Sequence, residues 1–448
     1  MFDTLPELFG DPEVTRVLSA DARLQRMLDV EAALAETEAA LGVIPAAAAV
    51  RIREAARVDL YDCGAITSEG ARSGNLAIPL VRHLTERVAH ADADASGYVH
   101  WGATSQDIID TALVLQMRDA IPLILAQFQR SADAAAVHAR RHADTPMAGR
   151  TWLQHATPTT FGLKATGWLD ALDRGACRVR SALEAVLVLQ FGGATGTLAA
   201  LGAHGPAITE ALAARLGLAV PAVPWHAHRD RIASLACALG VTAGTLGKIA
   251  RDLALLAQTE VAEAFEPRAE GRGGSSTMPH KQNPVGASVA IAAAVRAPGL
   301  VATMLSAMPQ EHERGLGGWQ AEWDTLPALV SITAGSARVL AGALEGLVVD
   351  TARMRTNLDA TRGLALSEAV TMSLASSLGR ARAHAHVEAA CRRAAAERRQ
   401  LADVLSEDSV VAAVLDRAAI ERQLLPEHYL GAARVFVERV LATRRARD

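Results

Sequence analysis

Long apolar runs with helical spacing place the strongest constraint on how this 448-residue chain folds. They extend from Ala233 to Phe265, from Val285 to Met308 and from Leu326 to Val349. Apolar residues recur in them every three or four positions, the period of an α-helix that is buried along one face. The first run alone would span about 50 Å at 1.5 Å per residue. Three such helices predict an all-α protein with a long central helix bundle, because alternating α/β units would need strands between shorter helices. A further helix is predicted over residues 19–42, with Ser19 or Asp21 as its N-cap and Gly42 at its end.

The composition agrees with a helical fold. Half of the residues are apolar, yet only 4% are aromatic, so the core must consist mostly of Ala, Leu and Val. Such small side chains favour helices that pack closely. We expect three helical domains, over residues 1–97, 98–349 (the central bundle) and 350–448. The long helices also have more apolar surface than a single chain is expected to bury, which suggests an oligomer that buries their outer faces.

Charge and cysteine usage exclude several classes of protein. The net charge is −4 and no long block has one sign, so we expect no nucleic-acid partner. The four cysteines lie far apart and read as reduced thiols of a cytoplasmic protein. The first residues lack the pattern of a signal peptide, and no run of about 18 apolar residues is free of charge, so we expect no membrane span. No metal-ligand spacing occurs, and we expect neither a metal nor an organic cofactor.

A glycine-rich segment at 270–284 separates the first two apolar runs. Glycines allow backbone amides to approach a ligand closely. Within a few residues the segment also offers a hydroxyl group, a fixed cation and a side-chain amide. Its composition alone fits an ordinary surface loop as well as a binding loop.

A second polar segment, at 98–112, places Thr104, Ser105 and Gln106 directly before an amphipathic helix. One interpretation is a helix N-cap, because Thr and Ser are preferred there. The other is a carboxylate-binding site, because free amides and hydroxyls at a helix start attract anions. The residues themselves leave both interpretations open.

Two further segments contain chemically versatile side chains. His155 lies in a stretch at 149–162 together with Trp152 and several threonines, and it is either a core histidine or a general acid/base. Arg314 lies between the second and third apolar runs. It belongs either to a solvated corner or to a site where its planar guanidinium binds a carboxylate.

The order of residues at 274–284, Gly-Ser-Ser-Thr-Met-Pro-His-Lys-Gln-Asn-Pro, resembles the signature loop of the fumarase/aspartase superfamily at every fixed position. Members of that superfamily form or cleave a C–O or C–N bond β to a carboxylate. The resemblance implies that Ser275 is the catalytic base and that Lys281 and Asn283 bind a substrate carboxylate. It also implies a small polycarboxylate substrate and a homotetramer whose active sites are shared between subunits.

The two other segments match the superfamily as well. Thr104, Ser105 and Gln106 fall at positions that bind substrate in its first characteristic region. The second region is matched from Thr151 onward with one departure, because Trp152 stands where a histidine is usual and His155 follows three positions later. The resemblance implies that Thr151 and Trp152 line the substrate, and it leaves His155 as a candidate acid/base.

Within the superfamily, the segments 74–81, 100–107 and 317–323 resemble the lactone-forming cycloisomerases. An alternative is an adenylosuccinate lyase or a related C–N or C–O lyase. Adenylosuccinate lyases have an arginine where Trp323 stands and a His-Asp pair where Gly74 and Asn75 stand. A second alternative is a non-catalytic helical scaffold, which would leave the polar segments unexplained.

Overall fold

The computed structural model describes residues 9–268, 273–274, 277–278 and 280–445. Its longer helices confirm the predicted all-α class, and they are Ala20–Ala40, Ala46–Ala55, Cys63–Ser73, Ala77–Ala91, Ser105–Arg141, Phe161–Val186, Gly205–Leu216, Asp230–Leu256, Val285–Ser306, Gly318–Glu345, Ser367–Leu378, Arg380–Glu397 and Ala433–Arg445. Short helices connect them at Pro12–Val17, Ala93–Ser96, Thr351–Asp359, Leu401–Ser406, Ser409–Ala412 and Arg417–Gln423.

Strands are few in the part of the chain that the structure describes. Pro146–Thr151 pairs antiparallel with Gln154–Thr160, and Ala264–Phe265 pairs antiparallel with Val348–Val349. The first pair forms a hairpin, called here the 146–160 hairpin. It covers most of the stretch at 149–162 that contains Trp152 and His155.

The chain divides into two compact units. Unit 1 contains the residues up to Phe128 together with Arg174–Gly247 and Val289–Arg338, and unit 2 contains Gln129–Asp173, Lys248–Ser288 and the chain from Val339 onward. The division predicted from sequence, 1–97, 98–349 and 350–448, has different boundaries and stays a prediction.

The helix predicted over residues 19–42 is confirmed in unit 1. The Ser19 side chain accepts a hydrogen bond from the Ala22 amide at the start of Ala20–Ala40, which satisfies one of the free amides of the first turn. Gly42 follows the helix with φ of 73°, a backbone conformation that glycine adopts without strain. The apolar positions that predicted the helix, among them Leu24 and Leu28, are buried.

Two of the predicted long helices end earlier than expected. The first ends at Leu256 and not at Phe265, and the third ends at Glu345 and not at Val349. Beyond Leu256 the chain turns through Ala262, whose φ is 54°, and then forms the short strand that pairs with Val348–Val349. Because the strand residue Ala264 is buried like the helix residues, apolar periodicity continued past the true helix end.

Three helices are long and apolar enough to cross a membrane by length and composition alone: Asp230–Leu256, Val285–Ser306 and Gly318–Glu345. Each contains a charged residue, the feature on which the prediction of no membrane span rested. Within the chain, 61% and 67% of the most apolar window is buried in the first and third helices, but only 33% in Val285–Ser306. Val295 and Leu305 of this helix are 71% and 46% exposed, so it presents an uncovered apolar face.

Glu38 is an ionisable residue in the core of unit 1. It lies on Ala20–Ala40 and is fully buried, and its two carboxylate oxygens have no hydrogen-bond partner among the described residues. Burial, together with the neighbouring Glu31, raises the pKa of Glu38 to about 8. The folded protein therefore holds a proton on Glu38 at neutral pH, whereas the unfolded chain releases it near the ordinary value of 4.5.

We expect Glu38→Gln to stabilise the protein at pH 8 and to leave its stability almost unchanged at pH 4. Between the ordinary pKa of 4.5 and the folded value of about 8, the unfolded wild-type chain binds fewer protons than the folded one, so wild-type stability falls as pH rises. The variant has no carboxyl group to titrate, so its free energy of unfolding should exceed that of the wild type by roughly 2–4 kcal/mol at pH 8. Denaturant unfolding at several pH values measures the difference, with Glu36→Gln on the same helix as control. A difference that does not change with pH would contradict the expectation.

Candidate active site

The start of helix Ser105–Arg141 in unit 1 brings three of the predicted substrate-binding residues together. The Arg314 guanidinium donates through Nη1 to Thr104 Oγ1 at 2.7 Å and through Nε to Gln106 Oε1 at 3.4 Å. Gln106 is buried, whereas Thr104 and Arg314 are half-buried. Ser105 is the first residue of the helix and lies between the two contacts. A guanidinium held by neutral acceptors keeps its full charge and remains suited to a carboxylate ligand.

Asp107 fixes the backbone of this helix start. Its Oδ2 accepts from the amides of Thr104 at 3.0 Å and Gly193 at 2.9 Å. Its Oδ1 accepts from the Gly192 amide at 3.0 Å and from His226 Nε2 at 2.7 Å. The buried carboxylate therefore ties the turn before the helix to the loop around residue 192, and a carboxylate with this many donors is well satisfied.

Behind Gln106 lies a buried group of charges. Arg229 is 1% exposed at its side chain and donates to both oxygens of Asp110, at 2.7 and 3.0 Å, and to both oxygens of Glu322. Trp319 Nε1 also donates to Asp110, at 3.0 Å. Gln106 Nε2 joins this group through Asp110 Oδ2 at 3.1 Å, so the side chain that contacts Arg314 is held from behind.

The turn before the helix requires glycine at position 102. Gly102 has φ of 70°, and a Cβ there would lie 2.5 Å from the Leu201 side chain. His100, two residues earlier, also has a positive φ of 59°, and its Nδ1 lies 2.6 Å from Glu31 Oε1. Close packing and an ion pair therefore hold the turn that ends in Thr104.

Trp323 and Asn75, at two positions that separated the alternative functions in the sequence, have clear structural roles. Trp323 contacts the Trp319 ring edge-to-face with centroids 4.8 Å apart, and its backbone carbonyl accepts from Arg23. Asn75 follows Gly74, whose φ is 81°, and its Oδ1 accepts from the Ala77 amide at 3.0 Å at the start of the next helix. Trp323 thus offers an apolar ring, and Asn75 is engaged as a helix cap.

The 146–160 hairpin in unit 2 places Trp152 and Leu153 at its tip. Both residues have left-handed backbone angles, with φ of 53° and 63°, and Thr151 pairs with Gln154 on either side. A two-residue turn of this type normally uses Asn-Gly, because larger side chains are strained there. The Trp152 and Leu153 side chains are nevertheless 94% and 82% exposed. Strained, bulky and exposed apolar residues indicate a functional tip.

A buried carboxylate anchors the strand next to His155. Glu263 is fully buried and accepts from Arg150 Nη1 at 2.9 Å and Nη2 at 2.6 Å, and from Asn357 Nδ2 at 2.7 Å. Arg150 is the strand partner of His155 across the hairpin. Burial, followed by the positive charge of Arg150, lowers the pKa of His155. The imidazole is therefore neutral at physiological pH and able to accept a proton.

The signature loop is described only in part. Ser275 lies outside the described residues, so its predicted role as base stays a prediction. The Asn283 amide donates to the Gly273 carbonyl oxygen at 2.8 Å and closes the base of the loop, while Lys281 is exposed. Glu266 accepts from the amides of Gly286 at 3.0 Å and Ala287 at 2.7 Å. It thereby caps helix Val285–Ser306.

Sequence reasoning identified Arg314 and Gln106 but missed Asp107, Arg229 and Glu263. An acidic residue in a first helical turn signals only favourable helix electrostatics, so Asp107 did not stand out. The partners of Arg229 and Glu263 lie about 100 residues away in the chain, which no local pattern reveals. Among the described residues, no group of three or more His, Cys, Asp or Glu side chains could hold a metal ion.

The fold is helical, a fixed guanidinium and polar side chains lie at the start of one helix, and a glycine-rich loop precedes another helix. This combination defines a class of enzymes that act on carboxylates. The family model described as Lyase matches residues 10–299, and a model described as Adenylosuccinate lyase C-terminus matches residues 363–440. The chain belongs to this lyase family, the fumarase/aspartase superfamily, and it is a lyase-type enzyme.

Relatives and solved structures agree with this assignment. A 3-carboxy-cis,cis-muconate cycloisomerase of Pseudomonas aeruginosa is 56% identical, over 96% of this chain and 94% of the relative. The crystal structure of the 3-carboxy-cis,cis-muconate lactonizing enzyme from Pseudomonas putida superimposes with a TM-score of 0.94, at 49% identity, and covers 100% of this chain and 99% of that one. A fumarate lyase from Mesorhizobium gives a TM-score of 0.90 at 39% identity, with coverage of 97% and 98%.

Proposed function

We propose that this enzyme converts 3-carboxy-cis,cis-muconate into 4-carboxymuconolactone, as a cytoplasmic step of protocatechuate degradation. The observation that carries the proposal is the Arg314 guanidinium fixed between Thr104 and Gln106, combined with an apolar Trp323 and a helix-capping Asn75 at the two positions that distinguish adenylosuccinate lyases. The identity of over 50% to proteins named for this reaction supports it.

The proposed reaction adds one carboxylate oxygen of the substrate to a double bond and a proton to the neighbouring carbon. A new C–O bond closes the γ-lactone, and the electron pair of the double bond takes up the proton. That carbon is α to another carboxylate, so negative charge builds on this carboxylate in an enediolate-like state. Lys281, Asn283 and Arg314 would stabilise the charge, and Ser275 would exchange the proton.

The substrate supplies its own nucleophile, so the enzyme mainly folds it into an attack geometry. This fits Trp152 at the position where relatives with an external leaving group have a histidine. His155, neutral because its pKa is lowered, remains available to orient the substrate or transfer a proton.

Ultraviolet absorbance of the substrate tests the reaction. We expect purified enzyme to remove the diene band of 3-carboxy-cis,cis-muconate while leaving adenylosuccinate intact, because neither Trp323 nor Asn75 offers a cation to a phosphate. The match of residues 363–440 to the adenylosuccinate lyase C-terminus makes that compound the appropriate competitor. Cleavage of adenylosuccinate with an unchanged diene band would replace the proposed reaction by the C–N lyase alternative.

We further propose a homotetramer whose active sites are shared between subunits. The uncovered apolar face of Val285–Ser306 and the exposed hairpin tip support this proposal. Exposed apolar surface of this kind generally marks an interface between proteins. The four cysteines are free, in agreement with a reducing compartment.

Changing the tip residues to Trp152→Asn and Leu153→Gly should stabilise the hairpin but impair the enzyme. Asn-Gly is the preferred sequence for this turn, and relief of two strained residues should contribute roughly 1–2 kcal/mol. If the tip completes a neighbour's active site, kcat/KM should nevertheless fall at least tenfold. Denaturant unfolding measures the stability, the absorbance assay measures kcat/KM, and sedimentation shows whether the oligomeric state has changed. Full activity of the double variant would contradict a functional tip.

A further inference from the structure

The chain uses lysine at only three positions, Lys164, Lys248 and Lys281, against 42 arginines among its 45 basic residues. Lys248 is a surface residue that pairs with Asp252 four positions later on the same helix. Lys281 lies in the signature loop and already has a predicted role. Lys164 lies in the first turn of helix Phe161–Val186, directly after the 146–160 hairpin, and has no role in the proposed reaction.

Lys164 lines a cavity of about 700 Å³ in unit 2, called here the Lys164 cavity. The volume lies within the range of small-molecule sites. Its lining comes from the hairpin, the start of helix Phe161–Val186, the end of helix Asp230–Leu256 with the residues that follow it, and helix Thr351–Asp359. The polar residues include Arg150, His155, Lys164, Gln258, Arg353 and Asn357.

Most charged groups around this cavity are already engaged. Arg150 and Asn357 bind Glu263. Arg353 donates through Nη2 to the Glu260 carbonyl oxygen at 2.7 Å and through Nε to the Val261 carbonyl oxygen at 3.1 Å.

Two acidic residues line the cavity, the exposed Glu260 and Asp252, and Asp252 is engaged as well. Asp252 accepts from Trp168 Nε1 at 2.7 Å and from Lys248. The side chains of Lys164 and His155, by contrast, have no hydrogen-bond or ion-pair partner within the described residues. A cation and an imidazole are therefore left without a ligand in a formed cavity.

We propose that the Lys164 cavity binds a small carboxylate, with the Lys164 ammonium as its ionic partner and His155 as a second contact. A half-buried ammonium without a counter-ion is unfavourable, and an anionic ligand relieves that cost. Lysine suits this role because its compact charge rotates toward a ligand.

The local charges agree with this assignment. Burial lowers the pKa of Lys164, Lys248 and Arg150 lower it further, and Asp252 and Glu263 oppose the change. A bound carboxylate should therefore raise the pKa of Lys164, by adding an opposite charge next to it.

The inference deepens the proposed function, because a polycarboxylate substrate or product is the ligand that this enzyme would meet. It does not depend on turnover. Propane-1,2,3-tricarboxylate is a suitable probe, since it has three carboxylates and no double bond to react.

The scarcity of lysine allows a direct test in the intact protein. Reductive methylation with 13C-formaldehyde labels Lys164, Lys248 and Lys281, and single Lys→Arg variants assign their NMR signals. We expect the probe to shift the Lys164 signal and raise its titration midpoint, and to affect the Lys248 signal less. An unchanged Lys164 signal at saturating probe would overturn the proposal, and so would an equal shift with sulfate at the same ionic strength.

Calorimetry of unlabelled variants gives a second readout. Lys164→Met should weaken binding of the probe about ten- to hundredfold, because a charge-assisted hydrogen bond is lost. Arg57→Met, which removes an exposed cation in unit 1, is the control and should bind like the wild type. Equal affinity of Lys164→Met and wild type would contradict the proposal.

These experiments distinguish a failure of the proposed Lys164 site from a failure of the proposed reaction. If the probe moves only the Lys281 signal and the diene is consumed, the Lys164 site is wrong and the proposed reaction stands. If the Lys164 signal moves but the diene persists, the carboxylate site stands and the reaction must be another one.

Discussion

Replacing Arg314 by methionine is expected to lower kcat/KM for 3-carboxy-cis,cis-muconate about 10²–10³-fold. The guanidinium, held by Thr104 Oγ1 at 2.7 Å and Gln106 Oε1 at 3.4 Å, is the planar donor at this helix start. Removing one fixed hydrogen-bond donor from a site of developing negative charge typically lowers the rate by such a factor. Because the charge grows as the new C–O bond forms, before the proton neutralises it, kcat should fall along with a rise in KM.

Two variants show whether geometry or charge matters at this position. Arg314→Lys keeps the positive charge but loses the planar fork, so its activity should lie between wild type and methionine variant. Arg57→Met removes an exposed arginine that pairs with Asp59 and should leave the rate unchanged. A rate within twofold of wild type for Arg314→Met would show that Arg314 belongs to a solvated corner, the other interpretation of its sequence context.

Arg229→Met is expected to lower the free energy of unfolding by roughly 3–5 kcal/mol. Asp110 and Glu322, both buried, would lose their shared partner and would face each other across an apolar side chain. Burial already raises the pKa of Glu322, although Arg229 opposes the shift, so its pKa should rise further in the variant. The folded variant then binds more protons than the unfolded chain, and its deficit should shrink as pH falls.

Denaturant unfolding at pH 8 and pH 5 measures this effect. The triple variant Arg229→Met, Asp110→Asn, Glu322→Gln should recover part of the lost stability, because it removes the unpaired charges. Arg82→Met, which removes an exposed partner of Glu69, serves as the control. A deficit below about 1 kcal/mol for Arg229→Met, or one that grows on acidification, would contradict this account of the buried charges.

Long helices were the part of the fold that the sequence predicted best. Their apolar positions repeat over many turns, so the predicted spans of Ala20–Ala40 and Val285–Ser306 agree with the structure to within about two residues at each end. The predicted ends at Phe265 and Val349 were wrong, because a short strand of apolar residues follows each helix and continues the apolar pattern.

The 146–160 hairpin could not be predicted from local signals. A two-residue hairpin turn is normally indicated in the sequence by Asn-Gly or a similar pair, whereas the turn residues here are Trp152 and Leu153. The strands themselves mix Gly, Pro and Ala with threonines, so no clean alternation appears. Their position depends instead on Glu263, which binds Arg150 from 113 residues away.

Within the candidate site, Thr104, Gln106 and Arg314 were found by sequence because they fall in polar segments that interrupt apolar helices. The structure brings these three together across more than 200 residues of chain. Asp107 and Arg229, which hold them in place, resemble ordinary charged helix residues until their partners are known. The catalytic roles of Ser275 and His155 stay predictions.

The most direct test of the central claim is proton NMR of 3-carboxy-cis,cis-muconate incubated with the enzyme in D₂O, beside Ser275→Ala and the control Ser276→Ala. The account predicts that the olefinic signals of the diene give way to a lactone with one deuterium on the carbon α to a carboxylate. It also predicts that Ser275→Ala forms this lactone about 10²–10⁴ times more slowly, the contribution typical of a positioned proton-transfer group. An unchanged diene with the active wild-type enzyme, or a Ser275→Ala variant as fast as Ser276→Ala, would contradict it.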